Sequence, residues 1–216
     1  GLTEEDIGYV IATGYGRIMV PFSKKNISEV SCHARGSHWL SPEIRTIVDA
    51  GGEDFKVMHC NEQGRVVYFS VSDKCAAGCG RYLEIMADLL SVPLTEFGTL
   101  AQEIENQPPV LSSSCVLFAK SEALTMLREG VGRNELIASF CNSVACILTN
   151  QIKKIGVKGQ LMFTGGLAKN MAVVKEVERL LGEEVYICFE PQIVGALGAA
   201  IFAQQLLEKR GKVLNK

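Results

Sequence analysis

The order of β-rich and helical segments constrains the fold of this chain more than any other feature. Three β-rich runs come early, at residues 44–50, 55–60 and 66–71, and hairpin-type residues 61–64 join the second run to the third. Helical patterns follow at residues 80–90, 95–104, 116–129 and 134–155. The chain then alternates strand, helix, strand and helix, at residues 161–164, 168–181, 185–189 and 193–209. This order predicts an α/β fold with a mixed sheet.

The same segments suggest how the chain is divided. We expect residues 1–43, with a short strand at 9–14, to be the end of a first lobe whose N-terminal part is missing, because the chain does not start with Met. Residues 44–209 would form a second lobe that carries a helical insertion at about 72–132. Residues 210–216 are expected to be a frayed tail.

Composition excludes several classes of partner. The 216 residues carry a net charge of −2, which favours neither nucleic acid nor an anionic membrane surface as a partner. No apolar run reaches the roughly 18 to 20 residues that span a bilayer. The first residues are polar and acidic, unlike a signal peptide. We therefore expect a cytoplasmic protein.

Two glycine pairs follow β-rich runs and are candidates for binding phosphate, because backbone N–H groups approach phosphate closely only where no Cβ intervenes. At the first pair, Gly51 and Gly52, the preceding Asp49 is placed to hold Mg²⁺ through water. Lys56, on the next strand, is a further candidate. The second pair follows Thr164 and precedes a helix, whose N-terminus suits a nucleotide. Each pair taken alone is also compatible with an ordinary tight turn.

Taken together, these turns and a late small-residue helix at 195–200 resemble the ATPase superfamily of actin, Hsp70 and sugar kinases. The resemblance implies a ribonuclease H-like α/β fold that binds ATP with Mg²⁺. It places Asp49, Gly51 and Gly52 at the phosphates and the metal. It places Thr164, Gly165, Gly166 and Asn170 near the nucleoside. It also implies that Ala196, Ala199 and Ala200 allow two connecting helices to pack closely.

Eight cysteines are many for a cytoplasmic chain, in which thiols stay reduced. Four lie in apolar patterns and are interpreted as buried small hydrophobic residues: Cys60, Cys141, Cys146 and Cys188. The other four lie beside polar or glycine-rich loops and are candidate metal ligands: Cys32, Cys75, Cys79 and Cys115. Cys75 and Cys115 each precede a helix, whose N-terminus favours a thiolate. Their spacing alone favours two helix-cap thiols.

Six segments make a more specific resemblance, to the BadF/BadG/BcrA/BcrD ATPase family of 2-hydroxyacyl-CoA dehydratase activators and benzoyl-CoA reductase ATPase subunits. They are residues 13–17 (TGYGR), 31–36 (SCHARG), 73–78 (DKCAAG), 113–119 (SSCVLFA), 163–170 (FTGGLAKN) and 190–198 (EPQIVGALG). The resemblance implies a homodimer bridged by one [4Fe–4S] cluster, with Cys75 and Cys115 as the ligands of each subunit. Cys79 is interpreted as a bystander thiol, with a role as alternative ligand left open. Cys32 and His33 are not assigned to iron.

The chain departs from the family pattern at four places, the first of which is Cys79, where many relatives have Thr. Glu53 stands where the family usually has Gln. Its carboxylate would either repel the terminal phosphate or act as a base towards water. Glu53 and the predicted Mg²⁺-binding residue Asp49 are the candidate catalytic residues. Lys120 replaces a Glu near the start of a helix. The first phosphate loop of the family is not in this chain.

Three functions are compatible with these observations. The first is an activator that takes an electron from ferredoxin or flavodoxin and, by using ATP, delivers it at low potential to an acyl-CoA dehydratase. The second is the permanently bound ATPase subunit of an aryl-CoA reductase, namely benzoyl-CoA reductase. The third is a metal-free enzyme resembling sugar or acyl kinases.

Overall fold

The computed structural model describes residues 6–72, 79–104, 108–111 and 115–214. In chain order, the regular elements are β1 (Ile11–Ala12), β2 (Lys25–Asn26), α1 (Glu29–Leu40), β3 (Ile44–Ala50), β4 (Phe55–Cys60), β5 (Val66–Val71), α2 (Gly80–Leu90), α3 (Phe97–Leu100), α4 (Val116–Arg128), α5 (Arg133–Ile155), β6 (Gln160–Thr164), α6 (Met171–Leu181), β7 (Val185–Tyr186) and α7 (Val194–Leu214). Short 3₁₀ turns lie at Arg17–Met19, Leu94–Glu96, Gly166–Lys169 and Pro191–Ile193. Among these described helices, none has the length and apolar content needed to cross a membrane.

The main sheet is mixed, as the sequence predicts. Its strand order is β5-β4-β3-β6-β7. Strands β3, β4 and β5 pair antiparallel, whereas β6 pairs parallel with both β3 and β7. The predicted bounds of β3, β4 and β5 match the observed ones. β1 and β2 form a separate two-stranded parallel pair, of which the sequence indicated only the first strand.

Helices cover both faces of the main sheet. Because side chains alternate along a strand, Val48 and Val57 pack into the cluster formed with α2, α5 and α6. Their neighbours Ile47 and Met58 instead pack into the cluster formed with α1 and α7. Full burial of a side chain of this size contributes about 1.5–3 kcal/mol. The two clusters therefore hold β3, the strand that leads into the first glycine turn, from both sides.

The sequence did not predict α1, because this helix has no regular apolar stripe. Its start is nevertheless clear, since the Ser28 side chain accepts a hydrogen bond from the Ser31 backbone N–H. Its buried face is made largely of small residues, which are not a helix signal in a periodicity search. The helix is held by close backbone contact with α7 rather than by large apolar side chains.

The contact between α1 and α7 depends on glycines rather than on the alanines that the sequence indicated. A Cβ on Gly36 would lie 2.3 Å from the Val194 carbonyl oxygen, and a Cβ on Gly198 would lie 1.8 Å from the Cys32 carbonyl oxygen. The prediction for the alanines was right for Ala199, which is buried. It was wrong for two others, Ala196 and Ala200, which are exposed because they lie on the opposite side of α7.

Four predicted helices or strands have an end that differs from the structure by three or more residues. The predicted helix 95–104 is only a 3₁₀ turn followed by α3, and the predicted strand 185–189 is reduced to β7. Helix α6 starts at Met171 because a 3₁₀ turn occupies the preceding residues. Helix α7 continues to Leu214, past the predicted end at 209 and into the expected tail. The division of the chain into lobes stays a prediction.

Candidate nucleotide and metal site

Both predicted glycine turns open into one cavity of about 520 Å³, a size typical of small-ligand sites. They meet because β3 and β6 are parallel neighbours, so their C-terminal ends lie at the same edge of the sheet, with Asp49 opposite Thr164. Gly51 and Gly52 line one side of the cavity, and the turn after β6 lines another. The structure thus brings together two motifs that are more than a hundred residues apart in the sequence.

The turn after β6 requires glycine at its first position. Gly165 has a φ of +86°, and a Cβ there would lie 2.3 Å from the Ala50 carbonyl oxygen. Its backbone N–H donates a hydrogen bond to the Pro191 carbonyl oxygen, with an N–O distance of 3.0 Å. Gly165 therefore joins the end of β3 to the turn that precedes α7, while its neighbour Gly166 lines the cavity.

Helix α2 closes the cavity on the side of the first glycine turn. The backbone N–H groups of Gly80 and Arg81 donate hydrogen bonds to the carbonyl oxygens of Gly51 and Gly52, each over 2.9 Å. Two of the N–H groups that a helix leaves unpaired at its start are satisfied in this way. The position of α2 is therefore tied directly to the conformation of the predicted phosphate turn.

The cavity also contains residues that the sequence reasoning missed. Its remaining lining consists of Gly80, Leu83, Glu84, Leu94, Thr95, Gly98, Leu167, Lys169 and Gln192. Lys169 lies 2.8 Å from Glu190, and their hydrogen bond lowers the pKa of the Glu190 carboxyl. The sequence could have indicated Lys169, because this residue lies within the 163–170 segment. It gave no indication for Glu84, because the position of Glu84 in the helical pattern also fits an ordinary solvent-facing residue.

Asp49 is largely buried and contacts a histidine of α1. The His33 Nε2 atom lies 3.5 Å from Asp49 Oδ2, with only 10% and 13% of the two side chains exposed. The His33 Nδ1 atom lies 3.0 Å from the Thr164 hydroxyl oxygen. Burial lowers the pKa of His33, and the Asp49 carboxylate opposes that shift. Helix α1 is thereby linked to the ends of both β3 and β6.

Five predicted nucleotide-site residues are not among those that line the cavity: Asp49, Glu53, Lys56, Thr164 and Gly165. Lys56 is buried, and its Nζ lies 2.6 Å from Asp54 and 3.7 Å from Glu29. Glu29 in turn pairs with Arg17 over 3.0 Å. Glu53 is exposed on the turn between β3 and β4. Lys56 therefore connects the first glycine turn to α1, rather than reaching into the space beside Gly51 and Gly52.

Asn170 lines the cavity, but its amide is engaged in the protein. Its Oδ1 accepts hydrogen bonds from the backbone N–H groups of Ala172 and Val173, over 3.1 and 3.2 Å, and so caps α6. Its Nδ2 lies 3.6 Å from the Cys141 sulfur. Burial raises the pKa of Cys141 to about 12, which keeps this thiol neutral. The side chain of Asn170 thus shapes the cavity wall by fixing the start of α6.

The structure describes only one of the two predicted cluster ligands. Cys75 lies outside the described residues. Cys115 is exposed at the position directly before α4, where it is the N-cap residue. Exposed Leu117 and Phe118 follow it on the first turn of that helix. A solvent-facing thiol at a helix N-terminus suits a metal cluster that a second subunit also contacts.

The other cysteines divide into buried and accessible groups. Cys60 and Cys141 are buried, as predicted, and Cys188 is partly buried. The prediction for Cys146 was wrong, because this residue lies on the exposed side of α5. The loop-adjacent Cys32 and Cys79 are both completely buried, so neither presents its sulfur to solvent. Within the described part of the chain, no group of three potential ligands is arranged to hold a metal ion.

The sheet order and the shared cavity define an α/β nucleotide-binding protein with the fold of the actin, Hsp70 and sugar-kinase ATPases. The family model of the BadF/BadG/BcrA/BcrD ATPase family matches residues 1–203. The chain belongs to this family, which confirms the resemblance based on the six sequence segments.

Several relatives are similar over nearly the whole chain. A 2-hydroxyisocaproyl-CoA dehydratase activator from Clostridioides difficile is 41% identical over 94% of this chain and 76% of its own length. An activator of lactoyl-CoA dehydratase from Anaerotignum propionicum is 42% identical over 97% of this chain and 81% of its own. One of the subunits of benzoyl-CoA reductase from Thauera aromatica is more distant, at 29% identity over 99% and 77%.

A solved structure gives the same result for the fold. It is an activator of the 2-hydroxyisocaproyl-CoA dehydratase from Clostridium difficile with bound ADPNP. It superimposes with a TM-score of 0.95 at 40% identity, covering 98% of this chain and 79% of that one. The fold predicted from the sequence is thereby confirmed.

Proposed function

We propose that this protein is the ATP-hydrolysing activator of a 2-hydroxyacyl-CoA dehydratase and delivers electrons to it from an iron–sulfur cluster. The observation that carries the proposal is the cavity that the two glycine turns share. Support also comes from the ADPNP-bound activator, whose fold matches at a TM-score of 0.95, and from relatives that are activators at 41% and 42% identity.

In the nucleotide site, we assign the phosphates of ATP to Gly51 and Gly52 and the nucleoside to the turn that contains Gly166. Asp49 would hold Mg²⁺, the ion that supplies charge neutralisation at the phosphates. A single carboxylate suits Mg²⁺, because this ion usually keeps several waters and takes one or two carboxylates together with phosphate oxygens. Glu53, exposed on the adjoining turn, would orient or deprotonate the attacking water.

In the metal site, Cys75 and Cys115 would each supply a thiolate to one [4Fe–4S] cluster shared by a homodimer. Four thiolates are the usual ligand set of such a cluster, so two subunits together complete it. The exposed position of Cys115 supports sharing. So do Leu117 and Phe118 beside it, which are 77% and 67% exposed and offer an apolar surface to a second copy.

Coupling between the two sites would pass through α2. The first N–H groups of α2 bind the Gly51 and Gly52 carbonyl oxygens, and Cys75 precedes the first residue of that helix by five positions in the sequence. A change at the phosphates would therefore shift α2, and the environment of a cluster tunes its reduction potential. We propose ferredoxin or flavodoxin as the electron donor and the cytoplasm, where thiols stay reduced, as the location.

A second candidate function is the ATP-binding subunit of an ATP-dependent benzoyl-CoA reductase. This second function is supported by the relative from that enzyme, which matches 99% of this chain. Its identity of 29% is well below the 42% of the lactoyl-CoA dehydratase activator. Purification separates the two functions, because an activator is isolated as a free dimer and a reductase subunit stays bound to its partners.

The proposal is tested by anaerobic iron and sulfide analysis and EPR, together with ATP-dependent electron transfer to a 2-hydroxyacyl-CoA dehydratase. We expect about two irons per chain, since a four-iron cluster would be shared by two chains. Cys115→Ala should lose the cluster and the electron transfer. Cys146→Ala, which removes another exposed thiol, should keep both. Iron-free protein that still hydrolyses ATP would overturn the activator function in favour of a kinase-like enzyme.

A further inference from the structure

His33 and its neighbours form a buried polar group that the nucleotide site does not account for. His33 belongs to the 31–36 segment of α1, and its side chain is 10% exposed. One ring nitrogen faces Asp49 over 3.5 Å and the other faces the Thr164 hydroxyl over 3.0 Å. A polar ring in this position needs a reason, because burial of polar groups costs free energy unless their hydrogen bonds are satisfied.

The Asp49 carboxylate determines which ring nitrogen carries the proton. A neutral imidazole has one donor and one acceptor, and an ionised carboxylate only accepts, so the Nε2 atom that faces Asp49 over 3.5 Å carries the hydrogen. Nδ1 then accepts from the Thr164 hydroxyl over 3.0 Å. This hydroxyl also lies 3.2 Å from the Val48 carbonyl oxygen, but the tautomer in which it donates there would aim a ring lone pair at the Asp49 carboxylate.

The backbone of α7 leaves room for the ring and holds it in place. Gly195 packs against the imidazole so closely that a Cβ there would lie 2.8 Å from His33 Nε2. Other charged groups near the ring are Lys56 and Glu29, which are themselves paired over 3.7 Å. The chain Thr164–His33–Asp49 is thus enclosed by β3, β6, α1 and α7.

We infer that His33 is a positioning residue that holds the Asp49 carboxylate in the orientation needed for Mg²⁺ at the phosphates. The inference rests on the proposed nucleotide site and deepens it, since it adds a residue that touches neither nucleotide nor metal. Groups that orient a metal-binding side chain usually contribute ten- to a hundredfold to metal affinity or activity. His33 also links the inter-helix contact of α1 and α7 to the phosphate turn.

The test measures nucleotide affinity with Mg²⁺ and with EDTA for the full chain. We expect His33→Leu to weaken ATP binding about tenfold or more in Mg²⁺ and to leave binding in EDTA within about twofold. His33→Gln keeps an amide N–H donor and should recover part of the loss. Gly195→Ala keeps the imidazole but displaces it, and should reproduce the His33→Leu effect.

Two comparisons separate positioning from general stability. His59 is another buried histidine, on β4, whose Nε2 lies 2.9 Å from the Gly156 carbonyl oxygen. His59→Gln should not change the ratio of Mg²⁺ and EDTA affinities. In an Asp49→Asn background, His33→Leu should add no further loss, because both changes remove the same interaction.

The outcomes distinguish this inference from the function on which it rests. If Asp49→Asn abolishes the Mg²⁺ effect while His33→Leu and Gly195→Ala preserve it, the role of His33 is overturned and the nucleotide site stands. If Asp49→Asn also leaves the Mg²⁺ effect intact, the metal assignment and the role of His33 both fail. Should His33→Leu not fold, His33→Gln and Gly195→Ala carry the same test.

Discussion

At the scale of single residues, the site depends on backbone that can approach other backbone. The turn after β6 passes the end of β3 so closely that a side chain at Gly165 would overlap the Ala50 carbonyl oxygen. This contact keeps the two glycine turns on one cavity. It therefore makes the proposed nucleotide site sensitive to a single methyl group that lies outside the cavity itself.

Gly165→Ala should lower the free energy of unfolding by more than the positive φ at this position alone would cause. A non-glycine residue in such a conformation costs about 1–3 kcal/mol, and the overlap at 2.3 Å from the Ala50 carbonyl oxygen adds to that cost. Gly156 is the matched control, because its φ of +80° is similar and a Cβ there meets nothing within 4 Å. Urea denaturation of both variants measures the difference. Equal losses would contradict a role for the Ala50 contact.

Residue-level prediction from the sequence was possible where local chemistry was sufficient. Asp49 and the two glycine pairs could be proposed as phosphate and nucleoside ligands because strand ends followed by Gly-Gly carry a phosphate-binding signal of their own, and this role stays a prediction. Lys56 was predicted to bind the phosphates because it lies close to the first glycine pair in the sequence. In the structure it pairs with Asp54 and Glu29 instead. Glu84 was missed because only the packing of α2 against the turn brings it to the cavity.

At the scale of elements, α1 and α7 show why part of the fold was not predictable. Strands β3 and β4 were found with their bounds because they are buried, largely apolar runs. The edge strand β5 is mostly exposed, and it was found because its β-branched and aromatic residues follow hairpin-type residues. Helix α1 has Cys32 and Gly36 on its buried face instead, and its stability comes from α7, which is far away in the sequence. A local pattern does not contain that information.

Gly198→Ala tests the contact between α1 and α7. We expect this substitution to destabilise the protein, whereas the same substitution at an ordinary helix position would stabilise it. Alanine is normally favoured over glycine within a helix by about 1 kcal/mol. Here a Cβ would lie 1.8 Å from the Cys32 carbonyl oxygen, so the two helices must separate and the free energy of unfolding should fall by about 2 kcal/mol or more. Ala200→Ser, at an exposed position of the same helix, should change it by less than about 0.5 kcal/mol. A stabilised Gly198→Ala variant would refute the close contact.

At the scale of the whole molecule, the nucleotide cavity and the proposed cluster ligand lie on different elements. The cavity is lined by the turns after β3 and β6, by α2 and α3, and by the short turns that precede α3 and α7, whereas Cys115 precedes α4. Among the described residues that line the cavity, none belongs to α4. Changes to the apolar start of α4 should therefore separate dimer formation from nucleotide binding, which gives a direct test of the shared-cluster arrangement.

Phe118→Asp should prevent dimer formation while nucleotide binding persists. Phe118 is 67% exposed beside Cys115, and a charge at the centre of an apolar contact between two copies would remain desolvated and unpaired. Anaerobic size-exclusion chromatography with light scattering should show a monomer that contains little iron, and the ATP affinity should stay within about twofold because α4 does not line the cavity. Trp39→Gln removes another exposed aromatic side chain, on α1, and should leave a dimer with its full iron content. A Phe118→Asp dimer that retains its cluster would exclude this face as the dimer contact. A monomer that keeps about two irons would show instead that one chain alone holds the metal.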